Sequence, residues 1–158
     1  MPALLFFLFI SFYGCEKNYS KDPANYFKSL HRKIYKSIEI SNKSILYDEL
    51  SKIFTKKELE KHFDKFSNFQ SYAHKEGLKV SIDDIEYIKI KIENISIQVR
   101  WIVRGKLFHR GHVHNRSLEY QSRYSLTKEG GSWKISNSEV TEHEDFSLTQ
   151  KEKEIATK

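Results

Sequence analysis

Hydrophobic and polar positions follow three rhythms along this chain. Residues 3–14 (A-L-L-F-F-L-F-I-S-F-Y-G) carry no charge and run up to Cys15, after which Glu16, Lys17 and Asn18 turn the chain polar. From Asn25 the apolar positions Tyr26, Phe27, Leu30, Ile34 and Ile38 recur at helical spacing and predict a first helix. Ser41-Asn42-Lys43-Ser44 breaks it, and Ile45, Leu46, Leu50 and Ile53 predict a second, shorter one. Thr55 with Glu58 three residues on reads as a capping box. The third helix that follows carries Leu59, Phe63, Phe66 and Ala73 on one stripe, with Gly77 as its stop.

Past Gly77 the period shortens to two. Leu78, Val80 and Ile82 alternate, then Ile88, Ile90 and Ile92, with Glu93-Asn94 as a turn. Ile95 to Leu107 form one face of a long strand. Leu118, Tyr120, Tyr124 and Leu126 suggest a fourth strand, and Trp133, Ile135 and Val140 a fifth, joined by Glu129-Gly130-Gly131. The expected class is α+β: three N-terminal helices packed on a curved antiparallel sheet of four to six strands.

The leader fixes the expected organisation. Twelve apolar residues span roughly 20 Å as a helix, short of the ~30 Å hydrocarbon core, so residues 1–14 suit a signal peptide better than a permanent span. Gly14-Cys15 followed by a polar segment resembles a bacterial lipoprotein lipobox. The resemblance implies that Cys15 is acylated and becomes the first residue, with Phe12 and Tyr13 departing from the common pattern. Residues 15–24 then read as a polar tether, 25–145 as the folded domain and 146–158 as a polar tail. The address implied is the bacterial cell envelope, with membrane lipid as a partner through the acylated Cys15.

The element order and the ending Y-S-L-T-K-E-G-G-S-W-K-I-S-N-S-E-V resemble the nuclear transport factor 2-like superfamily. That resemblance implies a cone in which helices close a curved sheet. Y-D-E-L-S-K-I-F and G-K-L-F-H-R-G-H-V-H-N-R-S-L-E-Y are similar to a subgroup of bacterial envelope proteins, a likeness that implies no activity.

Composition narrows the chemistry. Cys15 is the only cysteine, so no intramolecular disulfide forms. A net charge of +6 is too mild to indicate nucleic acid, no nucleic-acid motif accompanies it, and none is expected as a partner. Lys28, Arg32 and Lys36, spaced four apart on the first helix, form a basic patch that anionic lipid would suit; Arg100, Arg104 and Lys106 line the polar side of the long strand. His109, His112 and His114 supply three imidazoles at a hairpin, a candidate site for zinc or another divalent transition metal, although no Cys or Asp accompanies them. Inside a cone, His62, Tyr87, Trp101, Tyr120 and Tyr124 are the candidate pocket lining, and no acid–base pair can be placed among them. The expected function is therefore a membrane-anchored envelope lipoprotein that binds a protein or small apolar ligand, without catalysis and without a cofactor. The alternative is a cone-fold enzyme or metal-binding protein using the His109/His112/His114 hairpin.

Overall fold

The computed structural model describes residues 21–145; the expectations for the leader, Cys15, most of the tether and the tail lie outside them. Helix α1 (Pro23–Ser37) begins with proline at its first turn, where a missing N–H costs nothing. The Asp22 side chain accepts from Asn25 N at 3.1 Å and caps it. The helix thus starts two residues before Asn25, inside the expected tether. Asn42 caps α2 (Lys43–Ser51) by accepting from Ser44 N and Ile45 N. Helix α3 (Lys56–Glu76) ends at Gly77, whose φ of 65° suits a residue without Cβ.

Four strands follow as an antiparallel meander, β1 (Leu78–Glu93), β2 (Ser96–His109), β3 (His112–Glu129) and β4 (Ser132–Asp145), in spatial order β1-β2-β3-β4. The turns between them carry positive φ at Asn94, at Arg110-Gly111 and at Gly130-Gly131. The chain is α+β, and roughly half of the described residues are strand. The expected layout is corrected in one respect: the helices do not stand at the N-terminus of the chain, since α1 begins only at Pro23. The sheet of the described residues has four strands, within the expected four to six, although the alternation marked out five.

The strand count was misread for a physical reason. Residues 78–82 and 88–92 are one strand, carried through two bulges in which Asp83 and Ile88 are skipped by the β2 ladder. Each bulge reverses the in–out alternation, so Ile90 and Ile92 pair with the inward Val99 and Ile97, whereas Ile88 is left 46% exposed. Two further bulges, at Ser136 and Thr141, fall on β4, and the central β2–β3 ladder is unbroken. All four therefore lie on the edge strands, where the added twist curls the sheet and discourages edge pairing.

The helices cover one face. Ile97, Val99, Trp101 and Val103 alternate into it, meeting Phe27 and Leu30 of α1, Leu46 and Leu50 of α2, and Leu59 of α3. Each large buried side chain contributes about 1.5–3 kcal/mol. Ile45, expected on the apolar side of α2, is 54% exposed. The α2–α3 link closes the β4 edge: Thr55 N donates to Ile135 O at 2.9 Å and Ile135 N to Ile53 O at 2.8 Å, a short parallel bridge. The expected capping box does not form. The Thr55 side chain makes no cap bond, and the Glu58 carboxylate turns into the α3–β4 seam. Among the described residues no helix is long and apolar enough to cross a membrane.

Gly105 sits beside the first bulge, and a Cβ added there would lie 2.3 Å from the Ser81 carbonyl oxygen. Backbone cannot retreat as a side chain does, so Gly105→Ala is expected to cost about 1–3 kcal/mol in urea-induced unfolding. A loss below about 0.5 kcal/mol, the range of an ordinary surface change, would show that β1 and β2 do not approach this closely.

Candidate functional site

The concave side of the sheet is organised around His31, a residue that lies on the apolar stripe of α1 between Phe27 and Ile34. It is 1% exposed. Its Nδ1 lies 3.0 Å from Tyr87 Oη and its Nε2 3.2 Å from Tyr124 Oη. Tyr87 Oη also donates to Lys28 O at 3.4 Å, so it accepts the Nδ1 proton, and Tyr124 donates to Nε2. Trp101 meets the imidazole edge-on with centroids 4.6 Å apart, and its indole N–H donates to Tyr35 Oη at 2.8 Å. Tyr120 stacks on Trp101 at 5.3 Å.

Of the expected pocket lining, Tyr87, Trp101, Tyr120 and Tyr124 thus come together, packed against one another with Trp101 2% exposed. Burial first, and then the neighbouring Arg32 guanidinium, lower the His31 pKa to about 3, so it stays neutral. Burial likewise raises Tyr87 to about 12 and Tyr124 beyond the ordinary phenol range. Both ring nitrogens of His31 are engaged by phenols of the fold, which leaves neither for a substrate.

His62 lies elsewhere, at the α3–β4 seam, stacked on Phe54 at 3.9 Å. Its Nε2 is 2.9 Å from Ser138 Oγ and 3.2 Å from Glu58 Oε1, and Ser138 Oγ donates to the same carboxylate oxygen at 2.8 Å. Serine, histidine and glutamate meet here, but not as a nucleophilic relay. A relay places the acid on the nitrogen opposite the serine, whereas here both face Nε2 and the serine proton points at the acid. Burial pushes the Glu58 carboxyl up, yet Ser138 and Lys61 outweigh it and hold it below its usual value. Burial lowers His62 to about 4 against the pull of Glu58. The cluster ties α3 to β4.

The histidine hairpin forms as expected. His109 pairs with His112 across the Arg110-Gly111 turn, and His112 and His114 have ring centroids 6.5 Å apart. Register sets all three on one side of the hairpin, but they are not gathered around a common point. Among the described residues no group of three or more His, Cys, Asp and Glu side chains is placed to hold a metal.

The basic patch on α1 is answered locally. Lys28 and Arg32 lie over the Tyr87 ring at 5.5 and 5.4 Å, and Arg32 and Lys36 border an open cleft of about 350 Å³ that also holds Glu39, Asp83 and Asp84. On β2, Arg104 pairs with Asp84 and Glu86, and Lys106 lies 3.8 Å from Asp83.

His31 and Ser138 were missed at the sequence level. The helical stripe that includes Phe27 and Ile34 passes through His31 and was signal enough; nothing local marked Ser138, whose partners lie on α3.

No protein-family model and no curated protein matches the chain. Among solved structures, a de novo designed β-sheet protein determined by solution NMR is 16% identical, covering 82% of this chain and 95% of that chain with a TM-score of 0.48. A likeness at that level carries no argument about function.

The two buried histidines make stability depend on pH. Their folded pKa values lie below the unfolded 6.5, so the unfolded chain binds protons first. Stability is complete above about pH 6.5 and falls as pH drops toward 4, by up to about 1.4 kcal/mol per unit for each histidine. Urea unfolding across pH 7 to 4 should show this slope, and His31→Phe should remove one proton's share of it, whatever its effect at neutral pH. A slope unchanged in His31→Phe would mean that His31 is charged in the folded state.

Proposed function

We propose that this chain is a lipid-anchored protein of a bacterial envelope whose domain works by binding a protein rather than by catalysis. The observation that carries the reading is the abrupt end of an uncharged leader at a sole cysteine, Cys15, followed within eight residues by a capped helix at Pro23. Two acyl chains on that thiol, each CH₂ contributing about 0.8 kcal/mol, would hold the domain stably at a membrane. The arrangement of the domain supports the binding role. Its buried histidines are spent on phenols at His31 and on a helix–strand tie at His62, and aromatic rings occupy the concave side near Trp101. A small apolar ligand would have to displace those rings, whereas a protein partner needs only the surface. The Gly130-Gly131 turn leading into Trp133-Lys134-Ile135 supports a relation to the nuclear transport factor 2-like superfamily within this reading.

The test is incorporation of labelled palmitate in a bacterial host. The wild-type chain should take up label and partition with membranes, and Cys15→Ser should lose both. Label that persists in Cys15→Ser sinks the anchor.

A further inference from the structure

The helix-free face of the sheet carries a groove of about 390 Å³, and the β1 bulge at Ile88 builds it. Without that bulge Lys89 and Lys91 would follow the parity of Tyr87 and point into the core. With it they pair across from Arg100 and Gln98, on the outer face. Arg123 lies opposite Gln98 on β3, and Gln121 opposite Arg100, so four cations and two amides from three strands line one concavity. Arg100 is paired with Glu119 and Lys91 with Glu93, while Lys89 and Arg123 have no ion-pair partner among the described residues. Beyond those two pairs, the acids next along the ladder are Glu139 and Glu142 on β4, opposite Arg123 and Gln121, and neither forms an ion pair with Lys89 or Arg123 among the described residues.

The groove lies toward one end of the molecule. Lys91, Gln98 and Arg123 are the third row in from the β1–β2 turn, where Ile95 is 48% exposed. The same end holds the start of α1: Tyr26 Oη donates to Trp133 O at 2.8 Å, beside the β3–β4 turn, and Leu126 N donates to Ile95 O at 2.9 Å. The seven residues from Glu16 to Asp22 reach at most roughly 25 Å, so an anchored Cys15 keeps this end close to lipid.

We propose that this groove receives the phosphate groups of an anionic phospholipid surface and orients the anchored domain against it. The choice of a membrane among phosphate carriers rests on the anchored reading above. Cations flanked by an exposed apolar turn are what an anionic interface attracts, and the tether lets the groove come within the Debye length over which that attraction acts.

The test partitions the full chain carrying Cys15→Ser onto vesicles of phosphatidylcholine alone and of equimolar phosphatidylcholine and phosphatidylglycerol. The leader contributes to both, so the ratio reads the charge-dependent part. The ratio should favour phosphatidylglycerol and fall with added salt. Lys89→Glu with Arg123→Glu, both on exposed side chains, should lower it about tenfold or more. Arg32→Glu with Lys36→Glu, equal in charge but on α1, should leave it nearly unchanged. A ratio near unity in the parent chain, or one that survives Lys89→Glu with Arg123→Glu, overturns the proposal. So does equal loss in the α1 variant. Binding of a polyglutamate peptide through Lys89 and Arg123 without vesicle preference also overturns it and assigns the groove to an acidic protein segment. Because acylation is read separately through palmitate, a failed anchor with an intact vesicle ratio, and the reverse, are distinguishable results.

Discussion

His31 must remain uncharged for this fold to close. It sits where α1 crosses the sheet and touches three strands at once, through Tyr87 on β1, Trp101 on β2 and Tyr124 on β3. A protonated imidazole there would need two acceptors and solvent; the fold offers two phenols, one donating and one accepting, and an indole edge. Two of these neighbours are held in turn, the Tyr87 phenol by the Lys28 carbonyl and the Trp101 indole N–H by the Tyr35 hydroxyl. A buried polar network of this kind is stabilising only when every member is satisfied, and that requirement fixes the rotation of α1 over the sheet. Phe27, stacked on His31 at 5.3 Å, then faces the core, and Lys28, Arg32 and Lys36 are left outside.

The sheet meets that helix by curling, and its edge strands are where it does so. β2 and β3 pair without interruption from Ser96–Ser125 to His109–His112, whereas β1 and β4 each absorb two extra residues. The bulges have a second consequence beyond shape. Each one exchanges the faces of every residue beyond it, so the bulge at Ile88 is what turns two lysines outward and two isoleucines inward. A feature required by curvature thereby also writes the charge pattern of the opposite face.

Long regular segments were legible in the residues, and reversals of register were not. The three helices, the Gly77 stop, the hairpin at His109–His112 and the inward row Ile97–Val103 all follow from periodicity alone. Ile88, Ile90 and Ile92 misled because period two assumes no skipped residue, and a bulge leaves no mark stronger than a charged pair such as Asp83-Asp84. Thr55 and Glu58 had the spacing of a capping box, but Glu58 is drawn away by Ser138, Lys61 and His62, which lie together only after α3 packs on β4. The aromatic set around Trp101 was readable as inward-facing residues. That it packs solidly about a helix histidine was not, because sequence distance from His31 to Tyr124 hides the contact.

The two ends of the molecule differ in a way that matters for a tethered domain. β2 runs from Ser96, at the end where α1 begins, to His109, and fourteen residues of strand extend roughly 45 Å. On the anchored reading, the Arg110-Gly111 tip with His109, His112 and His114 would stand at the far end from lipid, beyond the reach of surface charge. Imidazoles there are exposed or half-exposed and accessible to a partner, in contrast to His31, which is buried, and His62, which is packed on Phe54. The chain thus places His31 and His62 where they hold the fold together and His109, His112 and His114 at the β2–β3 turn. A partner-binding role would draw on that tip and leave the interior undisturbed.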